Sequence, residues 1–431
     1  MRRSRTGADI DNLPLRLFCA CGQRVAPRAT REDVLPARWR ESHEAMRVAL
    51  VHYWLLGSRG GERVLEAICR LLPDADIFAL FYDPARVSPL IRSKNVQASF
   101  LNPLKRFHRG MLPLMPLALE AFDLRSHDLV ISSESGPAKG VLTSSTCRHL
   151  CYCHTPMRYL WELYPAYMND FPQNPIARAM MAPFASYLRT WDYATAARVD
   201  RFVANSWNVR RRLWRTYRRK AEVVYPPVAI ESFYHNRSDG YFLMVGEMVA
   251  YKRLGYAIRT FARSGRRLKV VGDGPEFNAL RRLAATNIEF CGRVSDKELR
   301  DLYSRSAALV MPGEEDFGIT MVESLASGKP VLALGRGGAV EVVREKCGVL
   351  YPDSTEAGLA DALRTFDRIE PSFNPLYLRT AVSEFSESAF DRRFSDALGR
   401  TIGRRGAAGT QRTEFTSCLQ TPNDSRSARP L

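Results

Sequence analysis

The sequence predicts an α/β protein with two parallel-sheet domains that face each other across a cleft. The chain has 431 residues, which exceeds the size of one ordinary hydrophobic core. Short apolar runs alternate with helical patterns, as in parallel sheets covered by helices. The alternation pauses at the stiff segment Tyr225-Pro226-Pro227 and then begins again. These prolines therefore mark the boundary between two similar halves, whose cleft is the expected ligand site.

Each half contains five predicted strands. In the first half, the apolar runs lie at residues 47–52, 77–81, 129–132, 149–153 and 201–204. In the second half, they lie at residues 241–245, 268–271, 288–291, 309–311 and 331–334. Helical periodicity is found at residues 62–72, 254–261, 296–305 and 319–327. Strands that alternate with helices favour a parallel sheet in both halves.

The domains are expected at residues 46–225 and 226–402. Residues 1–45 have no periodic pattern and lack the apolar core of a secretory signal, so we expect a disordered extension. Met46, which opens the first clear strand, is an alternative start of the protein. The segment 403–431 is rich in Gly, Ser, Thr and Arg and is expected to be a disordered tail.

The composition favours a soluble protein with anionic partners. The net charge is +17, and no apolar run approaches the length of a membrane-spanning helix. A basic body suits nucleotide sugars, phospholipid headgroups or nucleic acid. No nucleic-acid-binding module is recognisable, so we expect no nucleic-acid partner. Nine cysteines without framework spacing indicate reduced thiols and a cytoplasmic setting, and no second Cys or His cluster supports a zinc site.

The most informative motif places Glu315 and Glu323 eight residues apart. A buried strand precedes them, and a tight loop from Gly313 to Gly318 leads into a helix ended by Gly328. A carboxylate pair near a helix N-terminus suits a ligand rich in hydroxyls, such as a ribose or a hexose. Favourable interaction with the helix dipole is the structural alternative for either carboxylate alone.

Three further motifs adjoin predicted strand ends. Gly57, Gly60 and Gly61 form a loop before a helix, where backbone N–H groups can approach a diphosphate. His154 follows a strand of the first half in Cys153-His154-Thr155-Pro156. Lys252 and Arg253 follow the first strand of the second half.

Taken in this order, the motifs resemble those of the retaining glycosyltransferases of the GT-B fold, group 1 (family 4), over residues 46–395. The resemblance implies two Rossmann-like domains, an acceptor on the N-terminal one, a nucleotide sugar held mostly by the C-terminal one, and a reaction without metal or cofactor. It implies catalytic roles for His154, Lys252 and Glu315. It implies donor-binding roles for Gly60, Gly61, Arg253, Gly274, Val294, Phe317, Gly318 and Glu323.

Within this resemblance, Glu323 is the ribose ligand, Glu315 faces the hexose, and Lys252 contacts the diphosphate with the help of Arg253. Gly274 and Val294 border the nucleobase. The family often has Arg at the position of Glu247, so phosphate stabilisation is expected to depend more strongly on Lys252 and Arg253.

The acceptor side has a basic and apolar segment with Lys105, Arg106 and Arg109 among Leu, Met and Pro residues. Such a surface suits a phosphorylated, lipid-linked acceptor at a membrane face. An ordinary helix with a solvated charged face is the structural alternative.

These features predict a glycosyltransferase at the inner face of the plasma membrane. It would transfer a hexose, mannose from GDP-mannose, to a saccharide or polyprenyl-diphosphate-linked acceptor in surface polysaccharide synthesis. A UDP-sugar-dependent transferase or a sugar-nucleotide epimerase on the same fold is the first alternative. A non-catalytic polyanion-binding protein is the alternative from another class.

Overall fold

The computed structural model describes residues 46–57, 59–165 and 175–403, and it contains two parallel β-sheets. The first sheet has seven strands in the order β3-β2-β1-β4-β5-β6-β7. Its strands are β1 (Val48–Leu55), β2 (Asp76–Tyr82), β3 (Val96–Ala98), β4 (Leu129–Glu134), β5 (Arg148–Cys153), β6 (Arg201–Ala204) and β7 (Ala221–Val223).

The second sheet has six strands in the order β10-β9-β8-β11-β12-β13. Its strands are β8 (Phe242–Val245), β9 (Leu268–Val271), β10 (Ile288–Gly292), β11 (Ala308–Met311), β12 (Val331–Leu334) and β13 (Gly348–Tyr351). All strand pairs in both sheets are parallel. The predicted fold class is confirmed.

Helices connect the strands and cover the sheets. In the first domain they are α1 (Gly60–Leu71), α2 (Pro89–Arg92), α3 (Met115–Glu120), α4 (Pro175–Thr195) and α5 (Trp207–Tyr217). A 3₁₀ segment, Asn102–Leu114, precedes α3. The later helices are α6 (Leu254–Ser264), α7 (Phe277–Arg282), α8 (Asp296–Arg305), α9 (Ile319–Ala326), α10 (Ala339–Val342), α11 (Glu356–Ile369), α12 (Pro375–Thr380) and α13 (Glu387–Ile402). Within the described part of the chain, no helix is both long and apolar enough to cross a bilayer.

All ten predicted strands are present, with shifts of a few residues at their ends. The strands missing from the prediction are β3, β7 and β13, each at the edge of its sheet. An edge strand is covered on fewer sides, so its sequence needs fewer apolar residues. The three-residue strand β7, for example, contains Glu222. The predicted disordered segments lie outside the described residues, except for Gly403.

The order of the strands places two loops at the cleft. In the first sheet, the order of the strands reverses between β1 and β4, and in the second between β8 and β11. Ligands of open α/β sheets bind at such switch points, beyond the carboxyl ends of the strands. Helix α1 follows β1, and α9 follows β11. The N-termini of these two helices therefore lie where a ligand is expected.

The last helix returns to the first domain. In α13, Phe390 and Phe394 join the core beneath the first sheet, with ring centroids 5.9 and 6.1 Å from that of Tyr152 on β5. Glu387 accepts a 2.7 Å hydrogen bond from Arg70 on α1. The range 226–402, expected to form the second domain, thus includes a helix that packs on the first sheet. The apolar face of α13 packs on the first domain, and the sequence pattern of the helix alone does not reveal which domain it contacts.

We expect Phe394→Ala to destabilise the first domain by about 3–5 kcal/mol, because it leaves a cavity at a side chain that is fully buried. Urea denaturation followed by tryptophan fluorescence would measure the loss. Leu376→Ala is the control, since Leu376 on α12 is 73% exposed. Equal effects of the two substitutions would contradict the packing of α13 on the first sheet.

Candidate active site

The first wall of the cleft is the start of α1. The backbone N–H of Arg59 donates a 3.1 Å hydrogen bond to the Glu62 carboxylate, which caps the helix. Glu62 is only 4% exposed, and burial raises its pKa to about 7. The first turn therefore presents backbone N–H groups toward the cleft, beside a carboxyl group that titrates near neutral pH.

His154, which follows β5, lies beside this helix start. A Cβ atom on Gly61 would lie 3.6 Å from His154 Nε2 and 3.7 Å from His52 Cε1. The His154 Nε2 atom is 3.0 Å from Ser133 Oγ. Burial lowers the pKa of His154 to about 4, so its imidazole is neutral at pH 7. A neutral imidazole can exchange hydrogen bonds with a sugar hydroxyl but does not supply a positive charge.

The facing wall is the start of α9. Gly318 caps this helix at φ +94°, a conformation that other residues rarely adopt. A side chain there would also collide with Met321. The two helix starts meet directly, because a Cβ atom on Gly60 would lie 2.9 Å from Ile319 Cδ1. The predicted donor-binding residues Gly60, Gly61 and Gly318 are thus brought together.

Lys252 and Glu315 form an ion pair, with 3.0 Å between Nζ and Oε1. The loop after β8 lies directly on the loop after β11, since a Cβ atom on Gly313 would be 2.7 Å from the Lys252 carbonyl oxygen. Burial opposes the charge of Lys252, but the combined attraction of Glu315, Tyr251 and Glu247 outweighs it and raises the pKa of Lys252. The cation therefore stays protonated at every physiological pH.

Glu323 is buried, and protein groups contact both of its carboxylate oxygens. Oε1 accepts a 2.7 Å hydrogen bond from Arg63 of the first domain, and Oε2 accepts a 2.9 Å bond from the Tyr303 hydroxyl. Arg63 also lies 3.9 Å from Asp296. A cleft of about 200 Å³ lies beside this cluster, between α1, α8 and the inter-domain segment that includes Pro227.

Two predicted donor residues, Phe317 and Arg253, have surroundings that the sequence did not indicate. The Phe317 ring is buried between Tyr225 and Phe385, at centroid distances of 5.5 and 5.4 Å. Only its backbone can therefore reach a ligand. The Arg253 guanidinium donates a 2.6 Å hydrogen bond to Ser354, rather than joining the Lys252–Glu315 pair.

The remaining predicted positions lie around the second domain and the outer face of the first. Gly274 packs against the Met248 backbone, and the half-buried Val294 packs on the second core. On the first domain, Lys105 lies 3.4 Å from Asp83, and Arg106 is exposed. The side chain of Arg109 lies outside the described part of the structure.

Sequence reasoning did not identify Arg59 and Arg63 as site residues. Arg59 Nη1 lies 3.4 Å from Glu247 Oε2, so the carboxylate found where the family often has Arg is paired with an arginine of the other domain. Arg59 is the N-cap of α1 and Arg63 lies in its first turn, so their position around the predicted Gly-rich loop is a signal that could have found them.

A second group of contacts joins the domains farther along the cleft. Arg212 forms ion pairs with Glu314, at 2.7 Å, and with Asp316. The Ser206 hydroxyl donates a 2.8 Å hydrogen bond to the Asp316 carbonyl oxygen. Glu341 accepts bonds from the first backbone N–H groups of α5, at 2.9 and 2.8 Å. Among the described residues, no group of three or more His, Cys, Asp or Glu side chains is arranged to hold a metal ion.

Two family models match this chain. The model described as Glycosyltransferase Family 4 matches residues 58–232, and the model described as Glycosyl transferases group 1 matches residues 239–366. The chain belongs to the group 1, family 4 glycosyltransferases. The gap between the two matched regions coincides with the passage of this glycosyltransferase from its first sheet to its second.

Curated relatives match parts of this glycosyltransferase. An uncharacterized glycosyltransferase of Methanocaldococcus jannaschii is 30% identical over 156 residues, which are 35% of this chain and 44% of that protein. A GDP-mannose-dependent phosphatidylinositol monomannoside mannosyltransferase of Mycobacterium tuberculosis is 33% identical over 113 residues, 23% of this chain and 29% of that protein. A GDP-mannose-dependent alpha-mannosyltransferase of Corynebacterium glutamicum is 32% identical over 110 residues, 25% and 26% of the two chains. Each match spans less than half of the relative.

Solved structures match nearly the whole fold of this glycosyltransferase. Anabaena HepE, in complex with UDP and glucose, has a TM-score of 0.60 at 15% identity and covers 82% of this chain and 99% of its own. Sucrose-phosphate synthase of Thermosynechococcus elongatus has a TM-score of 0.55 at 17% identity and covers 86% and 100%. These similarities establish the GT-B fold.

We expect Glu62→Gln to change how stability depends on pH. Because the folded-state pKa of Glu62 is raised from 4.5 to about 7, folding favours its protonated form. The stabilisation by that proton is complete below pH 4.5 and is lost as the pH rises through 7. The unfolding free energy of the wild type should therefore fall relative to the Gln variant by about 3 kcal/mol over this window. Denaturation series from pH 4.5 to 8 would measure the difference, and parallel curves for the two proteins would contradict it.

Proposed function

We propose that this glycosyltransferase moves a hexose, with retention of configuration, from a nucleotide sugar to a saccharide or lipid-linked acceptor. The observation that carries the proposal is the contact between the N-termini of α1 and α9, with the Lys252–Glu315 pair beside it. Helix N-termini and a protonated lysine attract the phosphates of a nucleotide sugar. The site therefore has the charge that a departing nucleoside diphosphate requires.

We assign the residues of the cleft different roles in the transfer. As the sugar–phosphate bond breaks, negative charge develops on the leaving diphosphate, and Lys252 with the two helix N-termini stabilises it. On the sugar side, Glu315 accepts hydrogen bonds from hexose hydroxyls. The neutral His154, at the wall formed by the first domain, orients the transferred sugar.

Glu323 is assigned to the ribose. A carboxylate offers about four lone-pair positions, and Arg63 and Tyr303 each use one in this structure. The remaining positions are available to the ribose hydroxyls, and the adjacent cleft gives them access. The Arg63 contact fixes the carboxylate orientation from the opposite domain.

GDP-mannose is the proposed donor, and a UDP-sugar is the second candidate. The support for GDP-mannose is the identity of 31–33% to several GDP-mannose-dependent mannosyltransferases over segments of this chain. The support for a UDP-sugar is the fold similarity to HepE, solved with UDP-glucose.

Thermal-shift measurements with GDP-mannose, GDP, UDP-glucose and UDP would separate the candidates. A ligand of the folded state at 100 times its dissociation constant adds about 2.7 kcal/mol of stability. We expect the melting temperature to rise with the guanosine ligands. A rise with the uridine ligands alone would refute the GDP-mannose assignment, and no rise with any of them would refute the donor site.

We expect Lys252→Ala to reduce transfer about 100-fold or more, because removal of one group that stabilises transition-state charge has effects of this size. Glu323→Ala should also reduce transfer, because it removes the carboxylate assigned to the ribose hydroxyls of the donor. Product formation from radiolabelled donor would measure the loss, with circular dichroism to verify folding. Arg263→Ala is the control, since Arg263 on α6 is exposed and pairs with Glu356 away from the cleft. Undiminished transfer in Lys252→Ala or Glu323→Ala would refute its assignment.

The outer face of the first domain supports an acceptor at an anionic membrane. The stretch 84–119 contains no Asp or Glu and six Lys or Arg residues. It also exposes large apolar side chains, including Phe107 at 67% and Leu117 at 62%. Exposed apolar groups in a segment with a net positive charge suit an anionic lipid surface. A polyprenyl-diphosphate-linked acceptor at the inner face of the plasma membrane fits this surface.

Helix α4 extends this outer face. Its exposed positions from Ala182 to Ala194 carry no charged residue and include Phe184, Tyr187 and Tyr193. The helix lies beside the basic segment, because Leu112 packs on the cluster formed by the inner side of α4. Aromatic side chains of this kind are common at membrane–water interfaces.

We expect the variant Lys105→Ala/Arg106→Ala to bind anionic vesicles roughly 30-fold more weakly, since each basic residue near such a surface contributes about 1 kcal/mol. Phe107→Ser/Leu117→Ser should weaken binding as well. Co-sedimentation with phosphatidylcholine vesicles, with and without phosphatidylglycerol, would measure it. Leu376→Ser, an exposed site on the second domain, is the control. Equal sedimentation of all proteins would refute the membrane surface.

A further inference from the structure

The site contains a carboxylate at a place where an anionic ligand has to approach. Glu247 follows Gly246, and a Cβ atom on Gly246 would lie 3.2 Å from the ammonium nitrogen of Lys252. A carboxylate next to the diphosphate-binding lysine opposes the binding of phosphates. The proposed function gives Glu247 no role, so its charge requires an explanation.

The explanation lies in the opposite domain. Arg59 Nη1 is 3.4 Å from Glu247 Oε2, and the pair spans the cleft at the point where Gly60 meets Ile319. Arg59 therefore extends from the N-terminus of α1 to the loop after β8, which also carries Lys252. Together with Lys252 it forms a pair of cations, one from each domain, next to the proposed phosphate site.

The backbone of Arg59 is fixed by hydrogen bonds, whereas its side chain forms an exposed ion pair. Its backbone N–H donates to Glu62, and its carbonyl oxygen accepts a 3.1 Å bond from the N–H of Arg63. The side chain is 56% exposed and Glu247 is 29% exposed, so their ion pair is well solvated. Solvated pairs of this kind contribute little to stability. The guanidinium can therefore leave Glu247 while the backbone stays fixed.

We propose that Arg59 is a diphosphate-binding residue, which Glu247 holds in place until the nucleotide sugar binds. The inference rests on the proposed function, since it assumes a nucleoside diphosphate in the cleft. Arginine binds phosphate through two parallel charge-assisted hydrogen bonds, which are stronger than a solvated ion pair. When the donor enters, the guanidinium transfers from the Glu247 carboxylate to the phosphate oxygens. Phosphates held by Arg59 and Lys252 then connect the two domains.

Arg63, in the first turn of α1, has a different role. Its partner Glu323 is only 3% exposed, and their hydrogen bond is 2.7 Å long. Breaking this contact would leave a buried carboxylate with one partner fewer, which is costly. Arg63 therefore stays on Glu323, and Arg59 is the arginine that moves.

Titration calorimetry of Arg59→Gln and Glu247→Gln with GDP and GMP tests the proposal. We expect Arg59→Gln to weaken GDP binding about tenfold, with a much smaller effect on GMP, because one charge-assisted contact to phosphate is lost. Glu247→Gln should strengthen GDP binding, since it removes the group that competes for Arg59. UDP and UMP are the probes if the wild type binds uridine nucleotides instead.

The direction of the two effects separates ligand binding from a structural role. Both substitutions break the same ion pair, so a pair that only holds the domains together predicts changes of the same sign. The proposal predicts opposite signs. Arg259→Gln, which breaks the exposed pair with Glu356 on the second domain, is the matched control and should leave GDP binding unchanged.

Changes of the same sign, or an Arg59→Gln protein that binds the diphosphate as well as the wild type, would overturn this inference alone. A wild type that binds neither GDP nor UDP would overturn the proposed function, and this inference with it.

Discussion

The structure depends on a separation of charge across its cleft, in which the first domain supplies arginines and the second supplies carboxylates. Arg59, just before α1, and Arg63, on α1, face Glu247 and Glu323, and Arg212 on α5 faces the loop that precedes α9. These attractions bring two helix N-termini together, although their like partial charges repel each other. The cleft between them is consequently suited to an anion, because a phosphate group neutralises the positive partial charges of the two helix N-termini.

The chain also joins the domains covalently at two places. It leaves the first sheet after β7 and returns in α13, which adds Phe390 and Phe394 to the first core. The two crossings run side by side, and Val228 forms a bridge with Ser386 where they meet. Any opening of the cleft has to bend both crossings at this point.

Local sequence patterns predicted the parts of the fold that depend on neighbours in the chain. Apolar runs located ten strands, and the motif around Glu315 and Glu323 identified the loop and helix that bind Lys252 and Arg63. The side-chain direction of Arg253 was not predictable, because its backbone adopts φ +53° and its guanidinium is bound by Ser354. Phe317 looked like part of the ligand loop, but its ring completes an aromatic cluster with residues more than sixty positions away. Contacts between domains, such as Arg59 with Glu247, arise only when the two sheets are docked.

The central claim is that the N-termini of α1 and α9 form one phosphate site with cations from both domains. A crystal structure of the chain with a bound nucleoside diphosphate tests it most directly. The account predicts both phosphates between Gly61 and Gly318, with Lys252 and Arg59 in contact with phosphate oxygens and the ribose at Glu323. Phosphates bound away from these helix starts, or contacted by neither Lys252 nor Arg59, would contradict it.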